Sequence, residues 1–107
     1  MATPESKTKA RVKKTLEANN AWYFMPVQGG FGDYTLDFLC ARWPDSRFFA
    51  IETKKHNADP TDRQWGLINR LRERGTRVFI IDDEADGLKL KHESIAALDA
   101  WLKGNHP

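Results

Sequence analysis

The stretch FFAIETKK, residues 48–55, decides the reading of this chain. Phe48, Phe49, Ala50 and Ile51 read as a strand buried on both faces. The strand runs directly into Glu52, Thr53, Lys54 and Lys55. Side chains alternate across a strand, so Phe48, Ala50, Glu52 and Lys54 share one face. Glu52 and Lys54 then stand roughly 7 Å apart, at ~3.3 Å of rise per residue. A carboxylate and an ammonium side by side at the end of a buried strand call for a chemical reason.

The segment before it supplies a partner. TLDFLCAR, residues 35–42, reads as a second strand, and WPDS as the tight turn of a hairpin. Strand parity puts Leu36, Phe38 and Cys40 on one face and Asp37 on the other. Paired as a hairpin, the strands set Asp37 opposite Glu52. Two carboxylates held together repel unless a cation lies between them. A hard divalent ion fits, because such ions take oxygen ligands and favour carboxylates plus water. Lys54 beside them can hold a phosphate or a water on the ion. These are the parts for metal-assisted phosphodiester hydrolysis. The same three residues also fit a structural ion-pair network, so other features must weigh in. Gln64 shares a helix face with Leu67, Ile68 and Leu71 and needs a polar partner there. The glycine-rich QGGFGDY, residues 28–34, allows close backbone approach just before Asp37.

The remaining elements follow from caps and periodicity. Thr3 as N-cap, Pro4 at the first position and Glu5 in the first turn open a helix that reaches Asn19 and Asn20. Val12 and Leu16 form its thin apolar stripe. AWYFMPV, residues 21–27, reads as the first strand. After the hairpin, Asp59 as cap and Pro60 at the first position introduce a helix that stops at Gly75. TRVFIID, residues 76–82, is a fourth strand, LKLK at 88–91 a short strand, and ESIAALDAWLK, residues 93–103, a final helix. The order αβββαβα defines an α/β domain with a mixed central sheet flanked by helices.

Bulk properties bound the function. A chain of 107 residues fits one domain, 1–107, with a modest core. The single cysteine, Cys40, excludes an internal disulfide and points to a reducing, cytoplasmic setting. No apolar run reaches the roughly 20 residues of a membrane span, and no secretory signal pattern opens the chain. The net charge is +2, but from Glu5 to Lys14 five basic residues (Lys7, Lys9, Arg11, Lys13, Lys14) face one acid. Arg70, Arg72, Arg74 and Arg77 form a second group around Gly75. Such clusters can neutralise phosphates, and each also fits a solvated surface.

Asp37 followed by IETK, with Glu52 and Lys54, resembles the Asp…Glu-x-Lys signature of the restriction-endonuclease-like nucleases. More narrowly, the chain resembles the virus-type replication-repair nuclease (VRR-NUC) domain. The likeness runs in order through ESKTKARVKKTL, GGFGDYTLDF, FFAIETK, PTDRQ and RGTRVFIID, from about Glu5 to Asp82. Leu36 stands where the family has proline, and Asp33 is a second aspartate nearby; strand parity favours Asp37. The resemblance implies a metal-dependent DNA endonuclease. Asp37, Glu52 and the Thr53 carbonyl would bind Mg²⁺ or Mn²⁺, with Glu5 serving a second ion. Lys54 would act on the attacking water, and Gln64 would position Lys54 or that water. Lys7, Lys9, Arg11, Lys13 and Lys14 would grip the DNA backbone. It also implies a homodimer acting on branched DNA such as a Holliday junction, in a bacterial or phage-infected cytoplasm. The competing readings are a DNA-binding module of the same fold without catalysis, and a small protein-interaction domain.

Overall fold

The computed structural model describes residues 3–27 and 34–104. Asp33 and most of the glycine-rich segment lie outside them. The elements are α1 (Pro4–Ala18), β1 (Trp22–Phe24), β2 (Phe38–Ala41), β3 (Phe48–Thr53), α2 (Asp62–Glu73), β4 (Arg77–Ile81) and α3 (Ile95–Leu102). The order αβββαβα is the expected one. The four strands form one sheet in the order β1-β2-β3-β4. β1 pairs antiparallel with β2 and β2 with β3, the latter two joined by a short turn, and α2 carries the chain across to β4, which pairs parallel with β3.

Residues 49–53 are buried because helices cover both faces of the sheet there, whereas Phe48, expected to be buried with them, is 45% exposed. On one face, Phe38, Cys40, Phe49, Ile51, Phe79 and Ile81 pack with Val12 and Leu16 of α1 and Leu98, Trp101 and Leu102 of α3. On the other, Ala50, Val78 and Ile80 pack with Leu36 and with Ile68 of α2. Burial in the first layer pushes the Cys40 thiol up to about 12, so it stays protonated and behaves as a small apolar side chain.

Three local expectations are corrected. Asp59 does not cap α2. Thr61 does, in a capping box: its hydroxyl accepts from the Gln64 N–H at 3.2 Å, and the Gln64 carbonyl oxygen accepts from the Thr61 N–H at 2.8 Å. Asp59 instead binds the Lys91 ammonium at 2.6 Å and the His92 ring at 3.0 Å. LKLK forms no strand, because the Lys91 and His92 N–H groups donate to the buried Asp82 carboxylate, leaving only an isolated bridge between Ile81 and Glu93. Finally, alternation fails at Leu36. Phe38 and Cys40 belong to one layer and Leu36 to the other, since the chain bends at Asp37 before β2 begins.

Candidate active site

The bend at Asp37 is held by the end of β3. The Asp37 Oδ2 accepts from the Thr53 N–H at 2.9 Å and from the Thr53 hydroxyl at 2.7 Å. In return the Asp37 N–H donates to Glu52 Oε1 at 3.3 Å. The two acids are thus locked together across the hairpin, through side chain and backbone rather than by a face-to-face carboxylate pair. Glu52 is 2% exposed, and Lys54 Nζ lies 3.5 Å from its Oε2.

The electrostatics of this cluster are strained. Burial first, then the Asp37 charge, push the Glu52 pKa from its ordinary 4.5 up to about 7. Lys54 and the Asp37 N–H pull it back only part of the way. Each carboxylate has one ammonium near it, Lys54 beside Glu52 and Lys9 3.8 Å from Asp37 Oδ1, yet burial still makes the Glu52 anion costly. Two carboxylates brought together at the end of β3, one of them costly to ionise where it stands, are a donor set that fits a hard divalent ion. Among the described residues no group of three or more His, Cys, Asp or Glu side chains is placed to hold a metal ion.

Other residues named from the sequence sit at different distances from this pair. Glu5 is half-buried and lines a cleft of about 380 Å³ with Thr3, Pro4, Lys54, Lys55, Ala58 and Asp59. It therefore reaches the Lys54 side of the site without joining Asp37 and Glu52. Gln64 is half-buried at the start of α2, with its carbonyl end committed to the capping box. Of the basic residues of α1, Lys7, Lys13 and Lys14 are exposed. Arg11 is engaged internally with the Asp83 carbonyl at 3.0 Å and the Asp86 carboxylate at 3.0 Å. The second basic group is largely occupied too: Arg72 donates to the Val78 carbonyl, Arg74 to the Arg70 carbonyl, and Arg77 pairs with Glu93.

The roles of Thr8 and Tyr34 escaped the sequence reading, which placed Lys9 on the DNA-facing surface rather than beside Asp37. Lys9 turns inward, its Nζ 3.8 Å from Asp37 Oδ1. Thr8 is buried, and its hydroxyl donates to the Lys54 carbonyl at 2.9 Å, tying α1 to the end of β3. A signal for Thr8 existed, since it stands four residues before Val12 on the stripe that also includes Leu16. Tyr34 packs beside Leu36 and Ile68 with the Arg63 guanidinium 4.6 Å from its ring centre.

Against known proteins, a solved structure described as "VRR_NUC domain" matches with a TM-score of 0.70 at 21% identity, covering 98% of this chain and 100% of that one. The chain therefore has the fold of a VRR-NUC domain, the one its motifs resemble. No protein-family model and no curated protein matches the sequence.

Proposed function

We propose that this protein is a divalent-cation-dependent DNA endonuclease that hydrolyses phosphodiester bonds, with preference for branched duplexes. The observation that carries the reading is the locked Asp37–Glu52 pair with Lys54 beside it at the end of a sheet, where burial holds the Glu52 carboxyl well above its ordinary range. Asp37, Glu52 and the Thr53 carbonyl would hold Mg²⁺ or Mn²⁺. When bound, the ion would act as a Lewis acid on the phosphate and favour ionisation of the attacking water. Lys54 donates from its ammonium: it orients the attacking water and faces the negative charge that develops on the phosphate oxygens. Thr8 keeps Lys54 in place by anchoring its carbonyl. Gln64 retains its NH₂ end as a donor, the carbonyl end being used by Thr61. Glu5, in the cleft it shares with Lys54, is suited to a second ion held through water.

DNA would lie along α1, where Lys7, Lys13 and Lys14 offer exposed charges for backbone phosphates without reading sequence. Lys9 would offset part of the Asp37 charge. A homodimer fits a branched substrate with two symmetry-related strands to cut. Its support here is an exposed aromatic row. Trp22 on the edge strand pairs with Ala41, which pairs with Phe48, and Trp22 and Phe48 are 62% and 45% exposed. Phe24, also on β1, is 52% exposed.

The test is incubation of the protein with linear, flapped and four-way-junction DNA in Mg²⁺, Mn²⁺ or EDTA, with sedimentation of the protein alone. Cleavage of branched DNA that EDTA abolishes is expected. Metal-independent DNA binding without cleavage of any substrate would replace this reading with that of a non-catalytic binding module.

A further inference from the structure

The Tyr34 hydroxyl is buried and, among the described residues, makes no hydrogen bond of acceptable geometry. A phenol in that state is uncommon, because a buried donor without a partner loses its water and gains nothing in return. Its ring is well used: it packs on the layer of Leu36, Ala50, Ile68, Val78 and Ile80 and carries the Arg63 guanidinium on its face. Phenylalanine would satisfy all of that. The oxygen is the unexplained atom, and it lies among the groups of the proposed site. Burial raises the phenol pKa above its ordinary 10, and the charges of Glu52 and, more weakly, Asp37 raise it further. The Gln64 amide acts in the opposite direction, from the first turn of α2. The Tyr34 ring packs in the layer of Ala50, and alternation along β3 puts Glu52 on the same face of the sheet two residues further on.

We propose that Tyr34 is a positioning residue for the cation site: its hydroxyl is the donor that holds the Glu52 carboxylate in its ligating orientation, with the Gln64 amide supporting the phenol oxygen from α2. This rests on the cation-binding reading of Asp37 and Glu52. Lys54 Nζ lies 3.5 Å from Glu52 Oε2, and the Asp37 N–H donates to Oε1. A Glu52 carboxylate turned toward an ion would give up part of these contacts, and the Tyr34 hydroxyl would supply a donor in their place. Groups that orient metal-ligating carboxylates in this way typically change metal affinity by about 10- to 100-fold when removed.

The experiment compares the parent, Tyr34→Phe and Tyr23→Phe. Tyr23 is a control, because its hydroxyl bonds Glu17 at 2.6 Å on the exterior. Three quantities are measured: the melting temperature in EDTA, Mn²⁺ affinity by calorimetry, and the single-turnover cleavage rate. Tyr34→Phe should melt at or above the parent temperature, since it removes an unsatisfied buried donor, while its Mn²⁺ dissociation constant rises about 10-fold or more. Tyr23→Phe should leave Mn²⁺ affinity unchanged. Unchanged Mn²⁺ affinity in Tyr34→Phe, with the parent binding Mn²⁺ normally, overturns the role of Tyr34 alone. A lowered melting temperature in EDTA makes the hydroxyl structural and overturns it equally. A parent that binds no Mn²⁺ overturns the cation site itself, and the Tyr34 role with it.

Discussion

Glu52→Gln tests the electrostatic account of the site without requiring activity. Glu52 carries a pKa raised from 4.5 to about 7 by burial and by Asp37. A carboxyl that binds its proton more tightly in the folded chain than in the unfolded one favours folding while it is protonated. That contribution is complete below the unfolded value near 4.5 and is lost as pH rises through the folded value near 7. At about 1.4 kcal/mol per unit, the full loss by pH 8 is on the order of 3 kcal/mol. Gln has nearly the same shape, keeps an oxygen to accept the Asp37 N–H, and carries no charge. It also deprives Lys54 of its partner 3.5 Å away, which offsets part of the gain. In EDTA at pH 8 the variant should therefore be more stable than the parent by roughly 1–3 kcal/mol, several degrees in melting temperature for a domain of this size. At pH 4.5–5 the two should nearly coincide. Mn²⁺ should stabilise the parent and leave the variant almost unmoved, since binding to the folded state alone raises stability. Urea titrations followed by circular dichroism at both pH values, with and without Mn²⁺, supply every quantity. A variant less stable than the parent at pH 8 in EDTA, or an equal difference at both pH values, would refute the idea that Glu52 is a strained carboxylate awaiting a cation.

Lys54→Met should lower the single-turnover rate by on the order of 100-fold or more, while DNA affinity in Ca²⁺ stays within several fold, because its work is on developing charge; cleavage at the parent rate would remove Lys54 from the chemistry. Replacing Lys7, Lys13 and Lys14 with Gln should flatten the salt dependence of duplex binding by about 0.9 log units per lost phosphate contact. Arg11→Gln should leave that slope nearly unchanged and instead lower thermal stability, since Arg11 bridges α1 to Asp83 and Asp86. Thr61→Ala removes half of the capping box of α2 and should cost about 1 kcal/mol in urea unfolding.

The order of elements was legible because local chemistry decides it. Apolar runs at 49–51 and 78–81 have few alternatives to buried strands, Thr3 and Pro4 announce α1, and Gly75, with φ of +86°, stops the chain after α2. That Glu52 and Lys54 neighbour one another at the end of β3 was equally readable, and so was the proximity of Asp37, since a hairpin turned at WPDS brings Asp37 level with Glu52. Choices between near-equal local options were not readable. Asp59 and Thr61 are both good caps, and Asp59 was taken by Lys91 and His92 from a segment some thirty residues away. LKLK has the pattern of a strand, yet its backbone was claimed by Asp82. Alternation placed Leu36 with Phe38, but a side chain that takes two hydrogen bonds from Thr53 outweighs the pleat and bends the chain there. The inward turn of Lys9, the anchoring of Lys54 by Thr8 and the stranded hydroxyl of Tyr34 all depend on how α1 and α2 settle against the sheet. The sequence by itself determined which residue types stand at the end of β3; only tertiary packing decided which neighbours surround them, because those contacts join segments far apart in the chain and follow no local period.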